Sequence, residues 1–119
     1  NEIDIFEMVP GSSMSGIYHD KNVMSSNIIT DSVYDKQLNS ISDYTQWHTY
    51  GIEWSIDEII FYVDNEVVRK SSSLKIFNPQ RLIFDIGISG WLPPPKKSFP
   101  SKMYIDWVKV YNLKIISKL

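Results

Sequence analysis

From Trp47 to Arg69, short apolar and aromatic runs alternate with polar residues, and Asp57-Glu58 and Asp64-Asn65-Glu66 interrupt them with turn formers. A period of two lays one face of an extended chain against a core, so this stretch predicts a three-stranded antiparallel meander: His48 to Ser55, Ile59 to Val63 and Val67 to Lys70. The same signal predicts further strands over Glu2 to Val9, Gly16 to His19, Val23 to Thr30, Arg81 to Ser89 and Met103 to Leu113. No 3.6-residue apolar period is sustained anywhere, and the expected class is all-β. Trp91 to Pro100 holds four prolines, which forbid ladder pairing and predict a rigid loop. With 43% apolar residues over 119 positions, the chain can bury the core of one domain.

Charge and composition exclude several partners. Twelve basic against fourteen acidic side chains give a net charge of -2, which provides no field to gather nucleic acid or an anionic membrane. Every apolar run has strand length, well short of the roughly 20 residues of a spanning helix. Cysteine is absent, so there is no disulfide framework, thiolate metal site or cysteine nucleophile. Neither a Ser/His/Asp signature, a glycine-rich phosphate loop nor a zinc pattern is present. His19 and His48 lack a second His at ligand spacing and read as satisfied strand histidines. Lys114 to Leu119 forms a basic tail.

Chemistry concentrates in Glu2-Ile3-Asp4-Ile5-Phe6-Glu7. In a regular strand Glu2 and Asp4 share a face and Glu7 points away. A β-bulge at Ile5-Phe6 sets two residues opposite one and returns Glu7 to the carboxylate face. Glu2 and Glu7 then lie roughly 13 Å apart along the strand, and side chains leaning inward close that to about 5 Å, the spacing of a retaining glycosidase. One carboxylate can attack an anomeric carbon while the other protonates the departing oxygen. Each negative charge disfavours the next, so the last proton of the set is held up towards neutral pH. Alone, a Glu-x-Asp-x-x-Glu is more often a solvated acidic face.

Several segments together carry a more specific signal. EIDIFE resembles the bulged catalytic signature of the laminarinase-like members of glycoside hydrolase family 16, WHTYGIEWSIDEIIFYVDNEVV the meander that follows it, PQRLIFDIGISGW a cleft strand and MYIDWVKVY the closing strand. Order and spacing agree over nearly the whole chain. The resemblance implies a concanavalin A-like jelly-roll sandwich with a concave sugar-binding sheet, of which residues 1–119 would be the C-terminal portion, lacking the N-terminal strands. It implies Glu2 as nucleophile, Asp4 as the residue that hydrogen-bonds and tunes it, and Glu7 as general acid/base.

Other positions are read with their alternatives. Asp85 stands where the family commonly has Asn and is either a cleft residue or a strand-edge carboxylate, while Gly87 keeps that face flat for a pyranose ring. Trp91, after Gly90 at the loop mouth, is the best sugar-stacking platform. Trp54 and Trp107 follow Ile52 and Ile105 on one face and are expected in the core; Trp47 is undecided. Asp106 resembles a position that supplies a structural calcium in many relatives, although a capped or paired Asp is the commoner role. No cofactor is required for the chemistry.

The resulting expectation is a secreted, cell-surface or periplasmic monomer that acts as an endo-acting, retaining hydrolase on a β-linked polysaccharide, foremost a β-1,3-glucan. Few basic residues fall on the presumed cleft strands, which weighs against a sulfated galactan. The alternatives are an agarase- or carrageenase-type galactan hydrolase and a non-catalytic glucan-binding protein on the same scaffold. Residues 1–119 alone are expected to be inactive.

Overall fold

A computed structural model describes residues 1–8, 22–72, 76–87 and 102–112. Contacts group the chain into two compact units, Asn1–Leu82 and Ile83–Leu119. The first contains β1 (Glu2–Glu7), β2 (Val23–Ile29), β3 (Tyr34–Ser40), β4 (Tyr50–Trp54), β5 (Ile59–Val63) and β6 (Glu66–Ser71). They form two 3-stranded antiparallel sheets in the orders β1-β2-β3 and β4-β5-β6. No helix occurs among the described residues, and none is long and apolar enough to cross a membrane.

The expected meander is the second sheet. At its first turn Ser55 Oγ accepts from the backbone N–H groups of Asp57 and Glu58 at 3.2 and 3.1 Å, which closes the β4–β5 hairpin. At its second, Asp64 and Asn65 take φ of 51° and 69°, the paired left-handed conformation of a type I′ turn, which Asn and Asp tolerate best.

Alternation dictates how the two sheets of this unit meet. Ile28 of β2 packs with Ile59, Phe61 and Ile76, joined by Ile3, Ile52 and Trp54. Met24 packs with Ile41 and Val63, joined by Phe6 and Tyr50. These inward residues come from both sheets, so the core is the layer between them, as in a sandwich. Phe6 and Tyr50 stack with ring centroids 4.3 Å apart, pinning β1 to β4. Trp54 is partly buried against the core, as expected, and its indole N–H donates to the Ile76 carbonyl at 2.9 Å.

β3 was not expected, and three expectations need correction. β3 carries no alternating apolar pattern, because its inward residues Asp35, Gln37 and Asn39 are polar and bond to partners instead of packing. The strands expected at Arg81 to Ser89 and Met103 to Leu113 are not formed over their described parts. Alternation supplies a face, but a strand also needs a ladder partner, and among the described residues these segments form no ladder. Trp107 is 54% exposed instead of buried, and Lys109 Nζ sits 4.8 Å from its ring centroid. The strand expected at Gly16 to His19, the proline-rich loop and the basic tail lie outside the described residues.

Candidate active site

The expected bulge is present on β1. Asp4 pairs with Asn27 and Glu7 with Ser25, so three steps along β1 match two along β2 and Ile5-Phe6 together oppose Ser26. Ile3 and Phe6 pack into the core clusters, which turns Glu2, Asp4 and Glu7 to the opposite, outward face. Without the extra residue Glu7 would enter the apolar layer that Phe6 fills.

Two β2 side chains on that face organise the carboxylates. Asn27 Nδ2 donates to Asp4 Oδ2 at 2.7 Å and to Glu7 Oε2 at 2.8 Å. Ser25 Oγ donates to the same Glu7 oxygen at 3.2 Å. Both β2 residues are fully buried. A carboxylate only accepts, so the amide must present its nitrogen to both acids, and Asn27 Oδ1 is left buried without a partner. One rigid amide thereby fixes the spacing between Asp4 and Glu7.

Glu2 completes the set. Its carboxyl is held above the ordinary range, first by a hydrogen bond with Asp4, then by the negative charge of Asp4, with burial and Glu7 adding to the effect. Like charges on one face strengthen the hold of Glu2 on its proton, with Asp4 as the chief cause.

The second sheet supports β2 from behind. On β6, Val67 pairs with Tyr62 and Arg69 with Phe61, so Val68 is an extra residue and Arg69 turns inward. The buried guanidinium donates to the Ser26 carbonyl at 2.6 Å, to Ser26 Oγ at 3.1 Å and to the Asp35 carboxylate at 2.7 Å, and lies 5.0 Å from the Phe61 ring centroid. Ser26 is the β2 residue between Ser25 and Asn27, opposite the β1 bulge.

Ser25, Asn27 and Arg69 were not singled out in the sequence. In VMSSNII, polar Ser25 and Asn27 alternate with Met24 and Ile28, a period-two signal that places them beside the carboxylates. Arg69 offers no such signal, because only the β6 bulge turns it inward.

His48 is satisfied, as expected. Its Nε2 faces the Asp43 carbonyl at 2.9 Å and its Nδ1 the Asp64 carboxylate at 2.7 Å. The Asp64 hydrogen bond raises its pKa above the usual histidine value and lowers that of Asp64.

The remaining candidates are not gathered with the β1 acids in one unit. Asp85 and Gly87 belong to the second unit, where the Asp85 carboxylate lies 3.7 Å from the position of an added Cβ at Gly87. Asp106 is exposed in that unit, and Trp91 lies outside the described residues. Among the described residues no group of three or more His, Asp or Glu side chains is arranged to hold a metal.

Several glycanases and glucanases are similar in sequence to this chain. The chain is 27% identical over 117 residues to the endo-1,3-1,4-beta-glycanase ExsH of Rhizobium meliloti, covering 94% of this chain and 24% of the relative. It is 24% identical over 129 residues to a beta-glucanase of Rhodothermus marinus, covering 93% of this chain and 44% of that protein. It is 34% identical over 73 residues to a beta-glucanase of Fibrobacter succinogenes, covering 56% of this chain and 21% of that one. The chain thus spans less than half the length of each of these relatives. No solved structure matches it with significance. The profile described as Glycosyl hydrolases family 16 matches residues 1–109, more than half of the chain, so the chain belongs to that family.

Proposed function

We propose that the protein containing this chain is an endo-acting glycoside hydrolase that cleaves a β-linked glucan, foremost at β-1,3 bonds, with net retention. The observation that carries this reading is the bulged β1, which sets Glu2, Asp4 and Glu7 on one face with Asn27 bonded to two of them. In the first step Glu7 gives its proton to the glycosidic oxygen while a Glu2 carboxylate oxygen bonds to the anomeric carbon and the leaving sugar departs. In the second, Glu7 takes a proton from water, the resulting hydroxide attacks the same carbon, and Glu2 is released. Asp4 holds Glu2 in place and tunes its proton.

The names of the relatives support a β-glucan over a galactan. A non-catalytic glucan-binding role is disfavoured because all three carboxylates are present. Release from the cell would give such an enzyme access to polymeric substrate.

The test is hydrolysis of laminarin, mixed-linkage glucan and agarose by the protein containing this chain, with proton NMR of the first product. Retention of the anomeric configuration on a glucan is expected, with turnover reduced by orders of magnitude in Glu2→Gln and Glu7→Gln. An inverted first product would overturn the assignment. Residues 1–119 produced alone are expected to be inactive in the same assay, since their second unit leaves Phe84, Tyr104, Trp107 and Val110 exposed.

A further inference from the structure

Two bulges meet at Ser26. On β1, Ile5-Phe6 together oppose it; on β6, Val68 is the extra residue, and Arg69, which follows, reaches across to it. Ser26 stands between Ser25 and Asn27 on β2 and is fully buried. Its neighbours turn to the carboxylate face, so its own side chain enters the layer between the sheets.

Around Ser26 that layer is polar. Arg69 Nη1 donates to the Ser26 carbonyl at 2.6 Å and to its Oγ at 3.1 Å, and Asn39 Nδ2 donates to the same Oγ at 3.0 Å. Gln37 Nε2 donates to Asn39 Oδ1 at 2.8 Å and to the carbonyl of Val68 at 3.3 Å. Arg69 Nη2 meets the Asp35 carboxylate at 2.7 Å and the Asp35 carbonyl at 3.2 Å. The bonds form a closed path from the extra residue of β6 through β3 to Ser26 and back through Arg69. A buried charge is costly to hold, and this one directs its donors at β2 and β3.

A bulge disrupts the ladder where it sits, so pairing with β1 holds β2 least firmly at Ser26. One peptide joins Ser26 to Ser25 and another joins it to Asn27. Those two residues hold Asp4 and Glu7 through bonds of 2.7 to 3.2 Å. A shift of Ser26 is therefore carried to the acids, whose productive geometry tolerates about 0.5 Å.

We infer that Arg69 is a positioning residue for the hydrolytic reaction: it holds Ser26 from inside the sandwich and thereby sets the spacing of Asp4 and Glu7 on the far face. This role rests on the glucan-hydrolase reading. Arg69 touches neither the acids nor the face they occupy, and it acts through β2 alone.

Steady-state kinetics on laminarin and mixed-linkage glucan, run well below each variant's melting temperature with the protein containing this chain, test it. Arg69→Met is made with Asp35→Asn, which keeps the stem and leaves no unpaired carboxylate, and is compared with Asp35→Asn alone. Turnover should fall about tenfold or more on loss of the guanidinium, with KM within about twofold of the parent. Arg69→Lys should recover part of kcat, and it decides alone should the Met variant fail to fold. Ile60→Ala, buried on the opposite face of β5 from Phe61, is the control for stability: it should lower the melting temperature and keep kcat. Unchanged kcat in a folded Arg69 variant overturns the role, and so does a rise in KM with kcat preserved. A loss of kcat in Ile60→Ala as large as that in the Arg69 variants also overturns it, because turnover would then follow stability. In each of these cases hydrolysis by the wild type leaves the enzyme reading standing, whereas a wild type that cleaves neither glucan overturns both.

Discussion

Arg69 Nη1 donates to the backbone carbonyl of Ser26 at 2.6 Å, which ties a buried charge of one sheet to the strand that organises the carboxylates on the other. The same guanidinium reaches Asp35, so one side chain joins β6 to both β2 and β3. Removing it would leave the Ser26 carbonyl and hydroxyl without that donor in a dry layer and Asp35 without its counterion. Arg69→Ala should lower unfolding free energy by about 3 kcal/mol or more, read from urea denaturation. Arg69→Lys should recover only part of it, because a single ammonium cannot reproduce the planar fork that spans the two strands.

Asn27 is expected to matter to turnover more than to binding. Its amide holds Asp4 and Glu7 from one buried position, and it sits between them and the core without reaching the outer rim of the face. Asn27→Ala frees both acids to move by more than the tolerance of a reacting geometry, which is expected to cost about a hundredfold in kcat. KM should change little, and circular dichroism should remain that of the parent. An equal rise in KM with kcat preserved would place Asn27 in substrate binding instead.

Legibility in the sequence followed the apolar residues. The meander could be read because turn formers on either side bound the short apolar run IIFYV, and the β1 bulge because three acids could share a face only if one residue was extra. β3 was hidden, since in YDKQLNS the inward positions are Asp, Gln and Asn, whose partners come from β2 and β6 and leave no periodic mark in their own segment. Trp107 failed for the opposite reason. Its segment has the right alternation, but burial is a property of the layer that faces it, and a segment's own pattern does not supply that layer.

The pH dependence of the site should respond to Asp4. Glu2 must be ionised to attack, and its proton is retained chiefly by the hydrogen bond and charge of Asp4. Asp4→Asn removes the charge and offers an amide donor that favours the ionised Glu2. The acid limb of the kcat/KM profile is therefore expected to move to lower pH, even as the maximum falls. A limb that stays in place would show that Glu2 is not the group titrating there.

The last prediction concerns stability and uses the turn at Asp64. The raised pKa of His48 contributes stability that is complete below its ordinary value of 6.5 and is lost as pH rises through the folded value. The lowered pKa of Asp64 contributes stability that is complete above its ordinary value of 3.8 and is lost as pH falls through the folded value. Both contributions are whole between those two ordinary values, so the ion pair is strongest in mildly acid solution. Asp64→Asn isolates the charge, because asparagine accepts the left-handed conformation at φ 51° as readily as aspartate and can still accept from the Thr49 N–H, now 2.9 Å from Asp64 Oδ1. Asp64 is half exposed, so the pair should contribute only about 1 kcal/mol. Melting temperatures of the parent and Asp64→Asn, measured from acid to alkaline pH, should differ most in that mildly acid window and converge above it as His48 loses its proton. A difference that persists undiminished at alkaline pH would assign the effect to the turn and its hydrogen bonds instead of to the charge on His48.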